Sequence, residues 1–146
     1  MQHHIYYENG NLNEEWIEVN GKKEGLYTLY SLNGYKVRTI DYVDGNKNGQ
    51  YISYYMNSND IEYKCQYSNN KKVGAAILYH KNGNIDYICN YEDGKIVGMR
   101  YWYYDNGNIN KSCNYIDGLI QGQFIYYNRD GTIKNVWNYV DNEIVN

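Results

Sequence analysis

Three cysteines at equal intervals are the most conspicuous candidates for chemistry in this chain. Cys65, Cys89 and Cys113 are separated by 24 and 24 residues. Thiolates can bind zinc, and a pair of thiols can form a disulfide. The equivalent position in other copies of this interval holds Trp16 and Ile40. A position that accepts Ile, Cys and Trp is a core position, because cysteine behaves there as a small hydrophobe. The spacing therefore predicts buried, reduced cysteines and no metal site.

The histidines form no recognisable ligand motif. His3, His4 and His80 occur without Cys-x-x-Cys or His-Glu-x-x-His spacing, which are the arrangements that zinc sites use. His3 and His4 fall in the first strand, where we expect them to be ordinary edge-strand residues. No metal and no other cofactor is predicted.

The acidic residues offer equally little catalytic signal. Aspartate recurs at one turn position, as in Asp93 and Asp117, and a residue present in successive copies shapes a turn, because an active site needs only one. Glu14, Glu15 and Glu18 are clustered and predict a solvated edge. Phosphate-binding loops, nucleophile elbows and dinucleotide-binding fingerprints do not occur in the sequence. We expect a protein that is not an enzyme.

Charge and hydropathy restrict the classes of partner and location. The net charge is -3 and the pI is near 5.6, so the basic surface that nucleic acid requires is not expected, and membrane association is disfavoured. No apolar run reaches the 18 residues of a membrane helix. The first residues lack the basic and apolar segments of a signal peptide. The expectation is a soluble, intracellular protein.

A repeat of about 24 residues organises the elements that carry these side chains. Gly25, Gly49, Gly74, Gly98 and Gly122 lie 24, 25, 24 and 24 residues apart. A period of this size indicates supersecondary units that bury their apolar faces against one another. The repeats are approximately residues 1–24, 25–48, 49–73, 74–97, 98–121 and 122–146. We predict a single domain over residues 1–146.

Each copy has the signature of a β-hairpin. Asn82-Gly83 and Asp93-Gly94 are typical hairpin turns, because asparagine, aspartate and glycine tolerate positive φ. Between such turns apolar and polar residues alternate, as over residues 85–91, which marks a strand with one buried face. The prediction is all-β: an elongated single-sheet meander of about six antiparallel hairpins, with twelve short strands. An extra residue near Asn57–Asp60 predicts a longer loop or a bulge.

The repeat resembles a known family. Tyr91-Glu92-Asp93-Gly94, then Gly98, Tyr103 and Asn106-Gly107, is similar to the MORN repeat and more closely to its variant in bacteria and large DNA viruses. The chain departs from the standard repeat by lacking its Gly-x-Gly pair and by having tyrosine in place of tryptophan. The resemblance implies an elongated, twisted hairpin sheet whose groove binds protein segments. It also implies phospholipid contact in some members and an antitoxin role in one bacterial branch, without a residue signature for either.

Aromatic residues outside the repeated positions are the strongest candidates for binding. Residues 101–104 read Tyr-Trp-Tyr-Tyr and place rings on both faces of one strand, and Phe124, Tyr126 and Tyr127 do the same two strands away. One face of a single-layer sheet is expected to be polar, so this doubling suggests a covered or binding surface. A local stack or a dimer contact is the alternative. The candidate site consists of Arg100, Tyr101, Trp102, Tyr104, Phe124 and Tyr126.

These observations favour a protein-interaction or scaffold module over other functions. A partner segment would lie on the aromatic face or add a strand at an open edge. An edge-to-edge homodimer is a further possibility, since unpaired edges invite pairing. A choline- or carbohydrate-binding hairpin repeat, in which aromatic rings cage a quaternary amine, is one alternative. A phospholipid-associating repeat protein is the other.

Overall fold

The structure, a computed structural model, describes residues 1–145 and consists of strands and turns. The last predicted repeat extends to residue 146, which lies outside the described residues. The chain divides into two compact units, Met1–Lys71 and Lys72–Asn146. Within residues 1–145, no helix of the length and apolarity needed to cross a membrane is present. The prediction of an all-β meander of antiparallel hairpins is confirmed.

The first unit is an antiparallel meander in which each strand pairs with the next along the chain. Its strands are β1 (Gln2–Tyr6), β2 (Leu12–Val19), β3 (Lys22–Tyr30), β4 (Lys36–Val43), β5 (Asn46–Tyr54) and β6 (Ile61–Ser68). The loop between β5 and β6 is one residue longer than the loop between β3 and β4. The predicted extra residue near Asn57–Asp60 is therefore accommodated as a longer loop.

The second unit repeats the same arrangement. Its strands are β7 (Lys71–Tyr79), β8 (Ile85–Glu92), β9 (Lys95–Tyr103), β10 (Ile109–Ile116), β11 (Leu119–Tyr127), β12 (Ile133–Val140) and β13 (Glu143–Val145). The expected total of twelve strands is wrong by one, because Glu143–Val145 forms a short strand that pairs with the end of β12.

The two turn types differ in why they need their residues. Asp93 and Gly94 have φ of 49° and 84°, and two positive values define the tight type I′ hairpin turn. At Asn82-Gly83 only the glycine has positive φ. The Asn82 side chain instead accepts a hydrogen bond from the Asn84 N–H at 3.0 Å. The prediction that Asn82 is needed for a positive φ is therefore wrong. Its side chain instead accepts the hydrogen bond that closes the turn.

The glycines that define the repeat lie inside strands. Gly98 is in β9 with φ of 70°. Asn90 pairs with Val97 and Ile88 with Tyr101, so Cys89 faces three residues of β9. Such a bulge needs one residue in the left-handed region, which glycine adopts at little cost. The repeated glycine therefore positions a bulge in the long strand of each hairpin.

The predicted core position of the cysteines is confirmed. Cys65, Cys89 and Cys113 have exposed fractions of 3%, 1% and 0%, and none forms a disulfide. Cys89 pairs with Ala76, and Cys113 with Arg100. We call the face of each unit that carries these side chains the cysteine face.

Hydrogen bonds between successive hairpins stabilise the edges of the meander where the turns lie. In the second unit the Gly94 N–H donates to the Lys72 carbonyl at 2.9 Å. At the opposite ends of the strands, Asn82 Nδ2 donates to the Asp105 carbonyl at 2.8 Å. Because these bonds join residues more than 20 positions apart, they hold neighbouring hairpins in register.

Candidate functional site

Four of the six predicted site residues meet on the cysteine face of the second unit. Arg100 and Trp102 lie on β9, and Phe124 and Tyr126 lie on β11. The ring centroids of Trp102 and Phe124 are 5.9 Å apart, and those of Phe124 and Tyr126 are 4.9 Å apart. Both pairs are stacked, so two strands contribute one continuous row of rings.

Two cations complete this row. The guanidinium carbon of Arg100 lies 4.4 Å from the ring centroid of Tyr87 and 4.3 Å from that of Trp102. Lys111 Nζ lies 4.8 Å from the Trp102 centroid. Cations at these distances are attracted to the negative faces of aromatic rings. We call Tyr87, Arg100, Trp102, Lys111, Phe124 and Tyr126 the cation–aromatic cluster.

The cluster is anchored at Phe124 and accessible at the rings on either side of it. Phe124 has an exposed fraction of only 8% and also packs against Tyr139, with 5.8 Å between ring centroids. Trp102 and Tyr126 are half-buried. Phe124 therefore stabilises the sheet, while the two neighbouring rings retain surface that another molecule could contact.

The electrostatics of this face are unbalanced. Asp86 and Glu92 are the only acidic residues in β8 to β12, and they alternate with Tyr87 and Tyr91, so they lie on the opposite face. Arg100 forms no ion pair within residues 1–145, and its buried Nε has no hydrogen-bond partner there. Positive charge without a nearby carboxylate is the distinctive property of the cluster.

Burial controls the titration of the residues beneath the cluster. It raises the pKa of the Cys113 thiol, and the charges of Arg100 and Lys111 offset part of that effect. Burial also raises the pKa of Tyr115, again against the influence of Arg100. A buried thiol with a raised pKa is a poor nucleophile, which agrees with a core role for Cys113.

Tyr101 and Tyr104 do not join the cluster. Tyr101 pairs with Ile88 and Ser112 on the opposite face, where its ring centroid is 6.5 Å from that of Tyr103. Tyr104 follows the end of β9, and its hydroxyl donates to the Tyr127 carbonyl at 2.8 Å. Tyr101 thus lies on the other face of the sheet, and Tyr104 links two hairpins.

Sequence reasoning missed two members of the cluster, Tyr87 and Lys111. Both belong to the period-2 runs that contain the cysteine position, so the sequence alone places them on the cysteine face. For Lys111 the available signal was a lysine on the face of a period-2 run that otherwise carries apolar residues.

In the first unit a tyrosine donates to a glutamate on each face of the sheet, and one of these tyrosines, Tyr27, holds the position equivalent to Arg100. The Tyr27 hydroxyl donates to Glu14 Oε2 at 2.9 Å, and the Tyr30 hydroxyl donates to Glu15 Oε1 at 2.6 Å. Burial and then the glutamate contacts raise the pKa of each tyrosine from 10.0 to about 12. Glu14 and Glu15 are half-buried acceptors, so the expectation of a solvated acidic edge is wrong for them.

A groove of about 650 Å³ also lies in the first unit, near the turns of two hairpins. Its walls include Leu32, Val37, Tyr54 and Met56. Within residues 1–145 no group of three or more His, Cys, Asp or Glu side chains is arranged to hold a metal ion.

Comparison with known proteins identifies the repeat. The MORN repeat variant family matches residues 72–93 and 96–117. This match confirms the resemblance for two adjacent repeats of the second unit, which include most of the cation–aromatic cluster. No curated protein matches the chain.

Two solved structures are similar at low levels. A mutant of S. aureus TarM, in complex with fondaparinux, alpha-GlcNAc-glycerol and UDP, is 13% identical, with a TM-score of 0.43 over 75% of this chain. A second TarM structure is 13% identical, with a TM-score of 0.41 over 70% of this chain. The matches cover 21% and 19% of the TarM chains, so this chain spans about one fifth of their length. These scores carry no functional argument.

Proposed function

We propose that this chain is a non-enzymatic repeat module that binds a segment of a partner protein on the cation–aromatic cluster. The observation that carries the proposal is the stacked row of Trp102, Phe124 and Tyr126. The position of Trp102 in the repeat is occupied by Tyr126 in the following hairpin, but by Leu29, Ser53 and Leu78 in three others. The repeat alone does not require large rings there, so the hairpin scaffold is compatible with smaller residues at this point.

The physical properties of the row suit a protein partner. Tyrosine, tryptophan and arginine dominate the energetics of protein interfaces, because they bury a large area and keep a polar group for orientation. Trp102 and Tyr126 are half-buried, and their positions are held by the packed Phe124. A preorganised surface of this kind loses little side-chain entropy when a segment binds.

The choline-cage alternative fits the cluster less well. A quaternary amine would require open aromatic faces, whereas Arg100 and Lys111 already lie over the rings of Tyr87 and Trp102. An edge-to-edge homodimer stays a prediction. The short β13 pairs with only Asn138–Val140 of β12, and Trp137 on that strand is 46% exposed.

The test is a binding experiment with a matched control. A library of displayed twelve-residue peptides is selected on the wild-type protein, and the selected peptides are titrated against two double variants. The first variant, Trp102→Ser with Tyr126→Ser, removes the exposed rings of the cluster. The control, Met99→Ser with Ile116→Ser, removes exposed apolar surface elsewhere on the second unit.

We expect peptide affinity to fall at least about tenfold in the first variant, because two interface aromatics are lost, and to remain in the control. Circular dichroism checks that both variants fold. Equal affinity for wild type and the folded first variant would show that the row is only a structural stack. Loss of a concentration-dependent dimer, without a change in peptide affinity, would assign the row to self-association.

A further inference from the structure

We infer that the partner segment is acidic, and that Arg100 and Lys111 bind a carboxylate group of that segment beside the ring of Trp102. This inference rests on the proposed function, and it adds the chemistry of the partner. Three features support it: the geometry of the guanidinium, the lack of a carboxylate on this face, and the contrast with the first unit.

The geometry of Arg100 leaves donors available. Its guanidinium lies over the rings of Tyr87 and Trp102, at 4.4 Å and 4.3 Å from their centroids. Stacking uses a planar face of the guanidinium and leaves N–H groups at its edge. A carboxylate can accept two parallel hydrogen bonds from that edge. The aromatic contacts therefore hold the arginine in an orientation that suits a carboxylate.

Two cations share one indole without a counter-charge. Lys111 Nζ is 4.8 Å from the Trp102 centroid, and the Arg100 carbon is 4.3 Å from it. Neither side chain forms an ion pair within residues 1–145. Two like charges near one ring repel each other, and a bound anion offsets that repulsion. The face is thus complementary to negative charge.

The first unit shows what satisfies such a site internally. The positions equivalent to Lys111 in the first unit hold Glu14, Arg38 and Tyr63, and Glu14 accepts a hydrogen bond from Tyr27. The Lys23 ammonium lies over the same Tyr27 ring, 4.1 Å from its centroid. In the first unit Glu14 supplies a carboxylate at this position. No copy in the second unit does, so there the negative group comes from another molecule.

A peptide carboxylate fits this charge pattern better than an anionic membrane. The whole chain carries a net charge of -3, and Asp93 and Asp117 lie exposed at the turns of the second unit. An extended anionic surface would meet these carboxylates as well as the two cations, and each would oppose binding. A single acidic side chain on a peptide can contact the cluster alone.

The experiment uses two synthetic twelve-residue peptides, one of alternating leucine and glutamate and one with glutamine in place of every glutamate. Both are titrated against the wild-type chain at two salt concentrations, with Trp fluorescence as the signal. The variants are Arg100→Gln with Lys111→Gln, and the control Lys95→Gln with Arg129→Gln. The control removes the same charge from exposed side chains that pair with Asp117 and Asp105.

We expect the glutamate peptide to bind about tenfold more tightly than the glutamine peptide, as hydrogen bonds to charged groups are stronger. The difference should shrink with added salt, disappear in Arg100→Gln with Lys111→Gln, and persist in the control. A different outcome is that both peptides bind the wild type equally and both lose affinity for Trp102→Ser with Tyr126→Ser. The acidic preference would then be wrong, while the proposed binding site would stand. If either peptide binds both cluster variants as tightly as it binds the wild type, the proposed site itself is wrong.

Two further outcomes also count against the inference. If neither peptide binds at millimolar concentration, the acidic preference and the proposed site both fail. Vesicles containing phosphatidylserine provide the remaining arm. If these vesicles bind the wild type, lose binding in Arg100→Gln with Lys111→Gln, and prevent binding of the glutamate peptide, the anion is a lipid headgroup and the inference is wrong.

Discussion

The two units share one repeat, yet they differ where the same positions could contact another molecule. In the first unit Tyr27 and Glu14 are joined by a hydrogen bond of 2.9 Å. The equivalent pairs in the second unit are Arg100 with Tyr87 and Phe124 with Lys111. Neither Arg100 nor Lys111 has a carboxylate partner within the described residues. The first unit places a carboxylate beside its aromatic rings, and the second leaves positive charge beside them.

This difference separates architecture from specificity. Glycine bulges, type I′ turns and tyrosines recur in both units because they form the hairpins. The side chains that vary at repeat positions do not determine the fold, so they can determine what the surface binds. The comparison can be tested by making the same substitution at equivalent repeat positions of the two units, where the surrounding side chains differ.

The largest effect is expected at the packed rings. Phe124→Ala should lower the free energy of unfolding by about 3 kcal/mol, because a buried aromatic ring is replaced by a cavity. The ring is 8% exposed and contacts Trp102, Tyr126 and Tyr139. Urea denaturation measures the loss, and hydrogen exchange locates it.

We expect exchange to accelerate mainly in residues 72–145 for Phe124→Ala, and mainly in residues 1–71 for the equivalent Tyr27→Ala. A stability loss below about 1 kcal/mol for Phe124→Ala would contradict its role as the anchor of the cluster.

The second largest effect is expected when a bulge glycine is replaced by alanine, because the loss of stability should differ between the two units. Gly49 has φ of 125°, and an added Cβ would lie 2.7 Å from Asp41 Cβ. Gly98 has φ of 70° with no atom within 4 Å of that position. Gly98→Ala should cost about 1 kcal/mol for the left-handed backbone alone. Gly49→Ala should cost more, since Asp41 must also move. Equal denaturation midpoints for the two variants would refute this ranking.

The turn hydrogen bonds predict a smaller contrast. Asn82 Nδ2 donates to the Asp105 carbonyl at 2.8 Å in the second unit, whereas Asn33 Nδ2 meets Asn57 Oδ1 at 3.4 Å in the first. Asn82→Ala should lower the free energy of unfolding by about 1 kcal/mol, the usual net value of a hydrogen bond. Asn33→Ala should cost less. A larger loss for Asn33→Ala, measured by urea denaturation, would reverse the comparison.

The smallest effect should appear only in alkaline solution. Burial and a glutamate neighbour raise the pKa of Tyr27 and Tyr30 from 10.0 to about 12. The folded state therefore binds these protons more tightly than the unfolded state. Stability is complete below pH 10 and falls as the pH rises from about 10 to about 12.

Tyr27→Phe with Tyr30→Phe should flatten this decline, as followed by urea midpoints at pH 9, 10 and 11. Tyr6→Phe, at an exposed ring, is the control. An unchanged slope in the double variant would show that other groups cause the alkaline loss.

Much of the fold was predictable because its determinants are local. The Asp-Gly pairs predict the hairpin turns from turn chemistry alone. The period-2 alternation, as over residues 85–91, predicts the strands and the buried position of Cys113. The longer loop at residues 55–60 was also readable, since one extra residue between two fixed strands must project at a turn.

The site was only partly predictable because it depends on register. Across the Gly98 bulge the alternation restarts, so the sequence does not show that Trp102 faces Phe124 while Tyr101 faces away. Tyr104 was grouped with the strand, although the chain turns just before it. Tyr87 and Lys111 reach Trp102 from neighbouring strands, and such cross-strand contacts are fixed by pairing rather than by spacing along the chain.

The loop at residues 55–60 has a practical consequence. It holds one residue more than the corresponding loop at residues 31–35, and beyond it Ser53 still pairs with Tyr63 and Tyr51 with Cys65. Length can thus vary at this tip without shifting the strands. A short epitope tag or fluorophore attachment sequence inserted after Asn57 would report on the protein in cells while keeping the opposite turns, where register is set, untouched.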